Sequence, residues 1–85
     1  RSFAYLDLTN AILTGAVLTG ADFREATLTR CDLRGADLER CNFSHANLKG
    51  AKIKGANMVG ANLSHAYLQG ADLREAKLTN ANLQN

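Results

Sequence analysis

Two histidines and a carboxylate recur at a fixed interval in this 85-residue chain, and together they have the composition of a metal site. His45 and His65 are twenty residues apart, and Glu25 precedes His45 by the same interval. Two imidazoles and one carboxylate can hold a divalent transition metal. The alternative is that they are separate, solvent-exposed turn residues, as the corner position favours. We adopt that second interpretation, and we predict no metal ion and no cofactor.

The other reactive side chains do not form a catalytic set. Ser44 and His45 are neighbours in sequence, as are Ser64 and His65, but no third group stands where it would orient either imidazole. The glycines form no phosphate-binding loop. We therefore predict that the protein is not an enzyme and has no small-molecule substrate.

The two cysteines, Cys31 and Cys41, match no zinc or redox motif in their spacing. Both stand where the surrounding sequence has alanine, so we interpret them as small buried apolar residues. A disulfide is the alternative. Reduced, buried thiols fit a reducing compartment, and we predict a cytoplasmic location on that basis.

The charge balance excludes several classes of partner. Ten Lys and Arg oppose eight Asp and Glu, for a net charge of +2. That is neither the basic excess typical of nucleic-acid-binding proteins nor an acidic surface. No apolar run approaches the ~18 residues that a membrane helix needs. We therefore predict neither a membrane nor a nucleic-acid partner.

A five-residue repeat must position all of these side chains. A large apolar residue fills every fifth position from Phe3 to Leu83, seventeen in all, and we call this the centre slot. The small slot, two positions earlier, is alanine from Ala11 to Ala81 except at the two cysteines. All seven glycines lie two positions after a centre slot. A fixed period of this kind indicates stacked repeats and leaves no segment for a separate catalytic domain.

The period also predicts a shape. The small and centre slots are two residues apart, so both can face the same side of a short extended segment. The glycine position then supplies a corner, because glycine accepts the positive φ of a type II turn. Phe3, Phe23 and Phe43 recur every twenty residues, so four repeats per coil would stack their rings. At the ~4.8 Å spacing of parallel strands, four coils form a rod roughly 20 Å long.

Several of the repeats carry a family resemblance. Residues 46–50, 61–65 and 71–75 read ANLKG, ANLSH and ADLRE. They resemble the A(D/N)LXX signature of the pentapeptide repeat family, and the match covers essentially the whole chain, weakest before Ala11. The resemblance implies an all-β fold, a right-handed quadrilateral parallel β-helix of about four coils, with the centre and small slots inside. We predict one domain, residues 1–85, with a core that includes Phe3, Phe23, Phe43, Leu28, Leu33, Leu48, Ile53, Met58, Leu63, Leu68, Ala46, Cys31 and Cys41.

Outward residues should stack into ladders with a period of twenty. Asp or Asn often precedes the centre slot, and we expect these side chains to bond the backbone at the corner. Arg34, Lys54 and Arg74 would form a basic stripe that suits an acidic partner. The alternative is a solvated face with a net charge of +1, once its other charged members are counted: Lys52, Asp32, Asp72 and Glu75. Tyr67 is an outward aromatic residue and a candidate partner contact.

The repeat weakens in the first coil. Leu6 occupies a small slot, and Ile12 and Val17 occupy outward slots. The open end of a solenoid exposes unpaired backbone and an apolar cross-section, which proteins normally cover. We predict that the chain is a fragment of a longer protein that covers this end, or that two copies pair end to end as a homodimer.

These features favour a non-catalytic scaffold or protein-interaction module, because outward positions can vary without disturbing the core. The resemblance implies that such a module can belong to a larger adaptor or effector protein. It also implies an alternative, a DNA mimic that binds gyrase and confers resistance, but that mechanism needs a strongly negative surface and the chain is +2. An idealised repeat made to study the fold is compatible with the regularity from Ala11 to Asn85, although the irregular first coil looks natural.

Overall fold

The computed structural model describes residues 1–85, and its backbone consists of corners and single-residue β-bridges, without helices or longer strands. Thirteen parallel bridges each join a residue to the one twenty positions later. They form four ladders, one on each side: Ser2, Asp22, Asn42, Asn62 and Asn82 on face 1; Asp7, Thr27, Asn47 and Tyr67 on face 2; Ile12, Asp32, Lys52 and Asp72 on face 3; Val17, Asp37, Asn57 and Lys77 on face 4. Twenty residues thus make one coil, and coils 1 to 4 are residues 1–20, 21–40, 41–60 and 61–80.

Backbone hydrogen bonds hold segments that are too short to be stable alone. Of 55 such bonds, sixteen close corners, each from a small-slot N–H to the centre-slot carbonyl three residues earlier. All the others join neighbouring coils. For example, Phe43 donates to the Asn62 carbonyl at 2.6 Å, and Asn62 donates to the Cys41 carbonyl at 2.9 Å. Each repeat is therefore fixed by the coils on either side of it.

Every corner uses a residue with positive φ, between 55° and 74°, at every fifth position from Tyr5 to Asn80. This is the third residue of the hydrogen-bonded turn, where a type II turn requires positive φ. Seven of these residues are the glycines, as the repeat predicts, and nine are other residues, including Glu25 and His45. Left-handed backbone costs a residue with a Cβ about 1–2 kcal/mol. The bonds between coils offset that cost.

The core is a single column of centre and small slots. Nineteen residues between Leu18 and Leu63 are buried, and none of them is polar or charged. The ring centroids of Phe3 and Phe23 are 5.0 Å apart, and those of Phe23 and Phe43 are 4.8 Å apart. This stacking confirms four repeats per coil. The predicted core residues that lie fully inside are Phe23, Phe43, Leu28, Leu33, Leu48, Ile53, Met58, Leu63, Ala46, Cys31 and Cys41.

Phe3 and Leu68 depart from the expected core. Both are only partly buried and pack against the core from the outer coils. The reason is geometric. Within residues 1–85, Phe3 in coil 1 packs against coil 2 alone, and Leu68 in coil 4 packs against coil 3 alone. The overall dimensions agree with the expected length of roughly 20 Å. The principal extents are 26, 26 and 23 Å, so residues 1–85 form a solenoid that is about as wide as it is long.

Candidate functional site

The polar residues before the centre slots serve the corners. In every repeat with Asp or Asn at this position, a side-chain oxygen accepts the backbone N–H two residues later. The Asn62 side chain, for instance, accepts from the Ser64 N–H at 3.0 Å. The expectation that these residues bond the backbone at the corner is confirmed. Because their side-chain oxygens already accept these corner hydrogen bonds, they are poor candidates for binding a ligand.

The basic stripe on face 3 is largely neutralised within the repeats themselves. The Arg34 guanidinium lies 2.6 Å from the Asp32 carboxylate, and Arg74 lies 2.8 Å from Asp72. Hydrogen bonds from the side chain and backbone of Arg34 lower the pKa of Asp32 to about 2. The free positive charge of the stripe is thus reduced to lysine side chains, among them Lys54.

The same arrangement recurs on face 1. Arg24 binds Asp22 at 2.8 Å and lowers the pKa of that carboxyl to about 2. Each pair joins an aspartate to the arginine two residues later, on the same side of one short segment. The triplets Asp-Phe-Arg and Asp-Leu-Arg were visible in the sequence. They place each aspartate and its arginine on the same side of one segment, and the arginine rotamer then completes the pair.

Coil 1 carries most of the exposed apolar side chains. Ile12 is 82% exposed and Val17 is 66% exposed, on faces 3 and 4. Leu6 is about half exposed because the small slot has no room for it inside. Tyr5 is exposed at the corner beside it. The Arg1 side chain does not fill its small slot and instead donates a hydrogen bond to the Val17 carbonyl.

The corner between faces 1 and 2 brings the two histidines together. The rings of His45 and His65 stack with centroids 4.7 Å apart and planes inclined by 15°. They border an open hollow of about 480 Å³, whose other lining residues are Ala66, Tyr67, Gln69 and Asn85. No group of three or more His, Cys, Asp or Glu residues could hold a metal ion, so Glu25 does not complete the two-histidine, one-carboxylate set.

Tyr67 stands beside this hollow on face 2 and is half exposed. The Lys49 ammonium lies 5.3 Å from the centre of its ring, within the range of a cation–π interaction. The two residues are eighteen apart, which is one coil less two positions. The spacing can be read from the sequence, but it becomes a contact because both side chains point outward on face 2.

The thiols are buried and free. Burial raises the pKa of the Cys31 thiol to about 12. The Cys41 thiol donates to the Leu18 carbonyl at 2.9 Å, and burial raises its pKa as well. A thiolate is the reactive form of cysteine, so neither residue has the character of a nucleophile. Their position in the small slots agrees with the interpretation of both as buried apolar residues.

Comparison with known proteins explains the repeat. The sequence profile described as Pentapeptide repeats matches in eight copies, over residues 2–40, 21–58 and 56–85. The chain belongs to the pentapeptide repeat family. Its fold is the right-handed quadrilateral β-helix of that family. The comparison with curated proteins gives no match. No helix in the chain has the length and apolar character needed to cross a membrane.

Solved structures of other family members resemble this one closely. A pentapeptide repeat protein of the Arabidopsis thaliana thylakoid lumen is 42% identical, with a TM-score of 0.83 over 85% of this chain and 50% of that one. One from Nostoc PCC 7120 is 36% identical, with a TM-score of 0.87 over 89% and 63%. HetL of the same cyanobacterium, a protein involved in regulating heterocyst differentiation, is 39% identical, with a TM-score of 0.67 over 88% and 39%. This pentapeptide repeat chain therefore spans between 39% and 63% of these three relatives.

Proposed function

We propose that the chain is a non-catalytic protein-interaction module and that a protein partner binds it where faces 3 and 4 meet. Ile12 and Val17 flank this edge and are largely exposed. The later members of both ladders are all Asp, Asn or Lys. Two large apolar side chains in slots that are otherwise polar carry the proposal, because exposed apolar patches mark interaction sites.

The charges on face 3 indicate the chemistry of the partner. Since Arg34 and Arg74 are matched by their own aspartates, Lys52 and Lys54 in coil 3 are cations without an ion pair. At the ~4.8 Å spacing of parallel strands, they lie about 10 Å from Ile12 along the axis. A protein surface with an apolar group over Ile12 and acidic side chains about 10 Å away would complement this face.

The rest of the molecule supports an interaction role over a catalytic one. The core holds no polar or charged residue, and the most strongly shifted carboxylates are those bound by neighbouring arginines. The gyrase-binding alternative has less support, because the acidic residues are spread over all four faces and the net charge is +2. The free thiols suit a reducing compartment such as the cytoplasm. A module of this kind can act within a larger adaptor or effector.

Quantitative affinity capture from an extract of the source organism tests the proposed surface. Ile12→Asp with Val17→Asn gives both ladders residue types that they already contain, so the fold should survive. Lys52→Glu with Lys54→Glu reverses the free charge. A partner that both variants lose, and that the Ser44→Glu and Ser64→Glu control on face 1 retains, would support the proposal. If every captured protein binds the Ile12→Asp, Val17→Asn variant and the Lys52→Glu, Lys54→Glu variant as well as it binds the unchanged chain, the proposal is wrong.

A second copy of the chain is the competing partner. The N–H and the carbonyl of Ile12 make no backbone hydrogen bond at the edge of coil 1, and two such edges in antiparallel orientation could exchange both bonds. Light scattering over a concentration series separates the cases. A monomer at all concentrations keeps the partner a different protein. A discrete dimer that becomes monomeric with Ile12→Asp and Val17→Asn would show that the partner is a second copy of the chain.

A further inference from the structure

We propose that His45 and His65 form a binding site for one divalent transition-metal ion, with Cu²⁺ and Ni²⁺ preferred to Zn²⁺. The site is independent of the protein-binding surface, because it lies at the corner between faces 1 and 2. Both imidazoles are exposed, and neither makes a hydrogen bond within the chain. Their nitrogens are therefore free to bind a ligand, and neutral imidazole is the commonest metal ligand in proteins.

The spacing of the rings fits two ligands of one ion. With metal–nitrogen bonds of about 2.1 Å, each ring centre lies about 3.2 Å from the metal, and two cis ligands have centres about 4.5 Å apart. The observed separation of the centroids is 4.7 Å. The rings lie nearly parallel, with 15° between their planes, so chelation requires them to tilt towards each other. Binding therefore requires both imidazoles to rotate out of the stacked arrangement.

The backbone sets the separation of the rings. His45 and His65 have nearly the same φ, 60° and 59°, so their side chains leave the corner in the same direction. The His45 N–H donates to the Ser64 carbonyl at 3.0 Å, and the His65 N–H donates to the Gln84 carbonyl at 2.8 Å. These bonds hold one histidine a single coil above the other. The backbone of the pair is therefore already ordered, so that binding an ion has to fix only the two side chains.

The surroundings leave room for the rest of the coordination shell. The hollow beside the rings is open, so water can complete the shell around an ion, and Gln69 and Asn85 are among the residues that line the same space. Glu25 precedes His45 in the corner ladder and makes no ion pair, whereas Lys49 is held over the Tyr67 ring. The negative charge of Glu25 and the positive charge of Lys49 largely cancel, so the surroundings neither strongly attract nor strongly repel a cation.

The absence of a third protein ligand decides which metals are favoured. No further His, Cys, Asp or Glu completes a set of three. With only two imidazoles, affinity depends on the intrinsic strength of the metal–nitrogen bond. That strength rises through the first-row divalent ions to Cu²⁺ and falls again at Zn²⁺. A Zn²⁺ site would normally need three or four protein ligands.

Calorimetric titration of the 85-residue chain with CuCl₂, NiCl₂ and ZnCl₂ tests the site. We expect one Cu²⁺ per chain, bound more tightly than Ni²⁺ and Zn²⁺. Electron paramagnetic resonance of the copper complex should show two imidazole nitrogens. His65→Asn should lower Cu²⁺ affinity at least about tenfold, the smallest loss typical when even a supporting partner of a ligand is removed. Asparagine already occupies the equivalent positive-φ position in two other corners, at Asn10 and Asn80, so the variant should fold.

The matched control exchanges two residues and keeps the composition. His65→Asn combined with Asn80→His retains two histidines at positions with φ of 59° and 61°, but places them on different corners. We expect this exchanged variant to bind Cu²⁺ as weakly as His65→Asn. Wild-type Cu²⁺ affinity in the exchanged variant would overturn the proposal. A copper spectrum of the unchanged chain that shows only one imidazole nitrogen would also overturn it. So would unchanged binding by the His45→Asn, His65→Asn double variant.

Discussion

The two inner coils and the two outer coils carry the same repeat but differ in their neighbours. Between Ala21 and Ala61 every centre and small slot is fully buried, whereas in coil 1 Leu18 is the one such residue that is buried. The difference is not one of sequence, since Leu8 and Leu48 occupy equivalent slots on the same face. Burial in this fold depends on contact with neighbouring coils, and the large apolar residues that depart from the repeat, Leu6, Ile12 and Val17, lie in coil 1.

Truncation of a centre-slot leucine should reveal this difference most strongly. Leu48→Ala removes a fully buried side chain and should lower the free energy of unfolding by about 2–5 kcal/mol. Leu8→Ala, two coils earlier on the same face, removes a partly buried one and should cost about 1–2 kcal/mol. Urea unfolding followed by circular dichroism measures both. Equal costs would mean that the outer coils are as well packed as the inner ones.

The small slots give the opposite test, by adding volume. Ala46 is fully buried, and Ala46→Leu should cost about 1–3 kcal/mol through overpacking. Leu6 occupies the same slot two coils earlier and is half exposed, so Leu6→Ala should change stability by no more than about 0.5 kcal/mol. The thermal midpoints of the two variants give the comparison. A tolerated Ala46→Leu would show that the interior can expand, which contradicts a closed column.

Corner strain should not distinguish the coils. Gly15 and Gly35 lie in the same corner ladder with φ of 69° and 68°, and an added Cβ would meet nothing within 4 Å at either position. Gly15→Ala and Gly35→Ala should therefore each cost about 1–2 kcal/mol, from backbone conformation alone. Replacement by asparagine, which tolerates this conformation better, is the control. A much larger loss at Gly35 would mean that neighbouring coils tighten the corner.

Most of the fold could be predicted from the sequence, because one five-residue pattern determines slot, corner and coil together. The period of Phe3, Phe23 and Phe43, together with the family resemblance, predicted four repeats per coil, and the stacking of the rings confirms it. What the pattern could not supply was the effect of position along the axis. Phe3 matches the repeat as well as Phe43 does, yet only Phe43 is fully buried.

The candidate sites were harder to predict than the fold, for a physical reason. A ladder specifies which side chains are neighbours but not how they orient. The stripe of Arg34, Lys54 and Arg74 was visible as a period of twenty, whereas its neutralisation depends on rotamers that bring each arginine onto its own aspartate. The stacking of His45 and His65 was expected from their spacing. Their separation of 4.7 Å and the open space beside them required coordinates.

The smallest expected effect is the pH dependence of these ion pairs, and it should again be the same in inner and outer coils. Asp32 in coil 2 and Asp72 in coil 4 both have a pKa lowered to about 2 from 3.8, with the bound arginine as the main cause. A carboxyl whose pKa is lower in the folded state stabilises the fold above pH 3.8. That contribution is lost as the pH falls towards 2. Both pairs lie at the surface, with the Arg34 and Arg74 side chains exposed, so the loss should be small and reduced by salt.

Aspartate-to-asparagine variants isolate this contribution. Asparagine makes the equivalent corner bond on face 1, at Asn42 and Asn62, so Asp32→Asn and Asp72→Asn should keep the turn bond while removing the charge. The urea midpoint of the unchanged chain should fall between pH 4 and pH 2, and each substitution should make that slope shallower by a similar amount. A flattening confined to Asp32→Asn would show that the electrostatic strength of a pair depends on its neighbouring coils. Equal flattening would locate it within the single repeat, where the aspartate and its arginine are two residues apart.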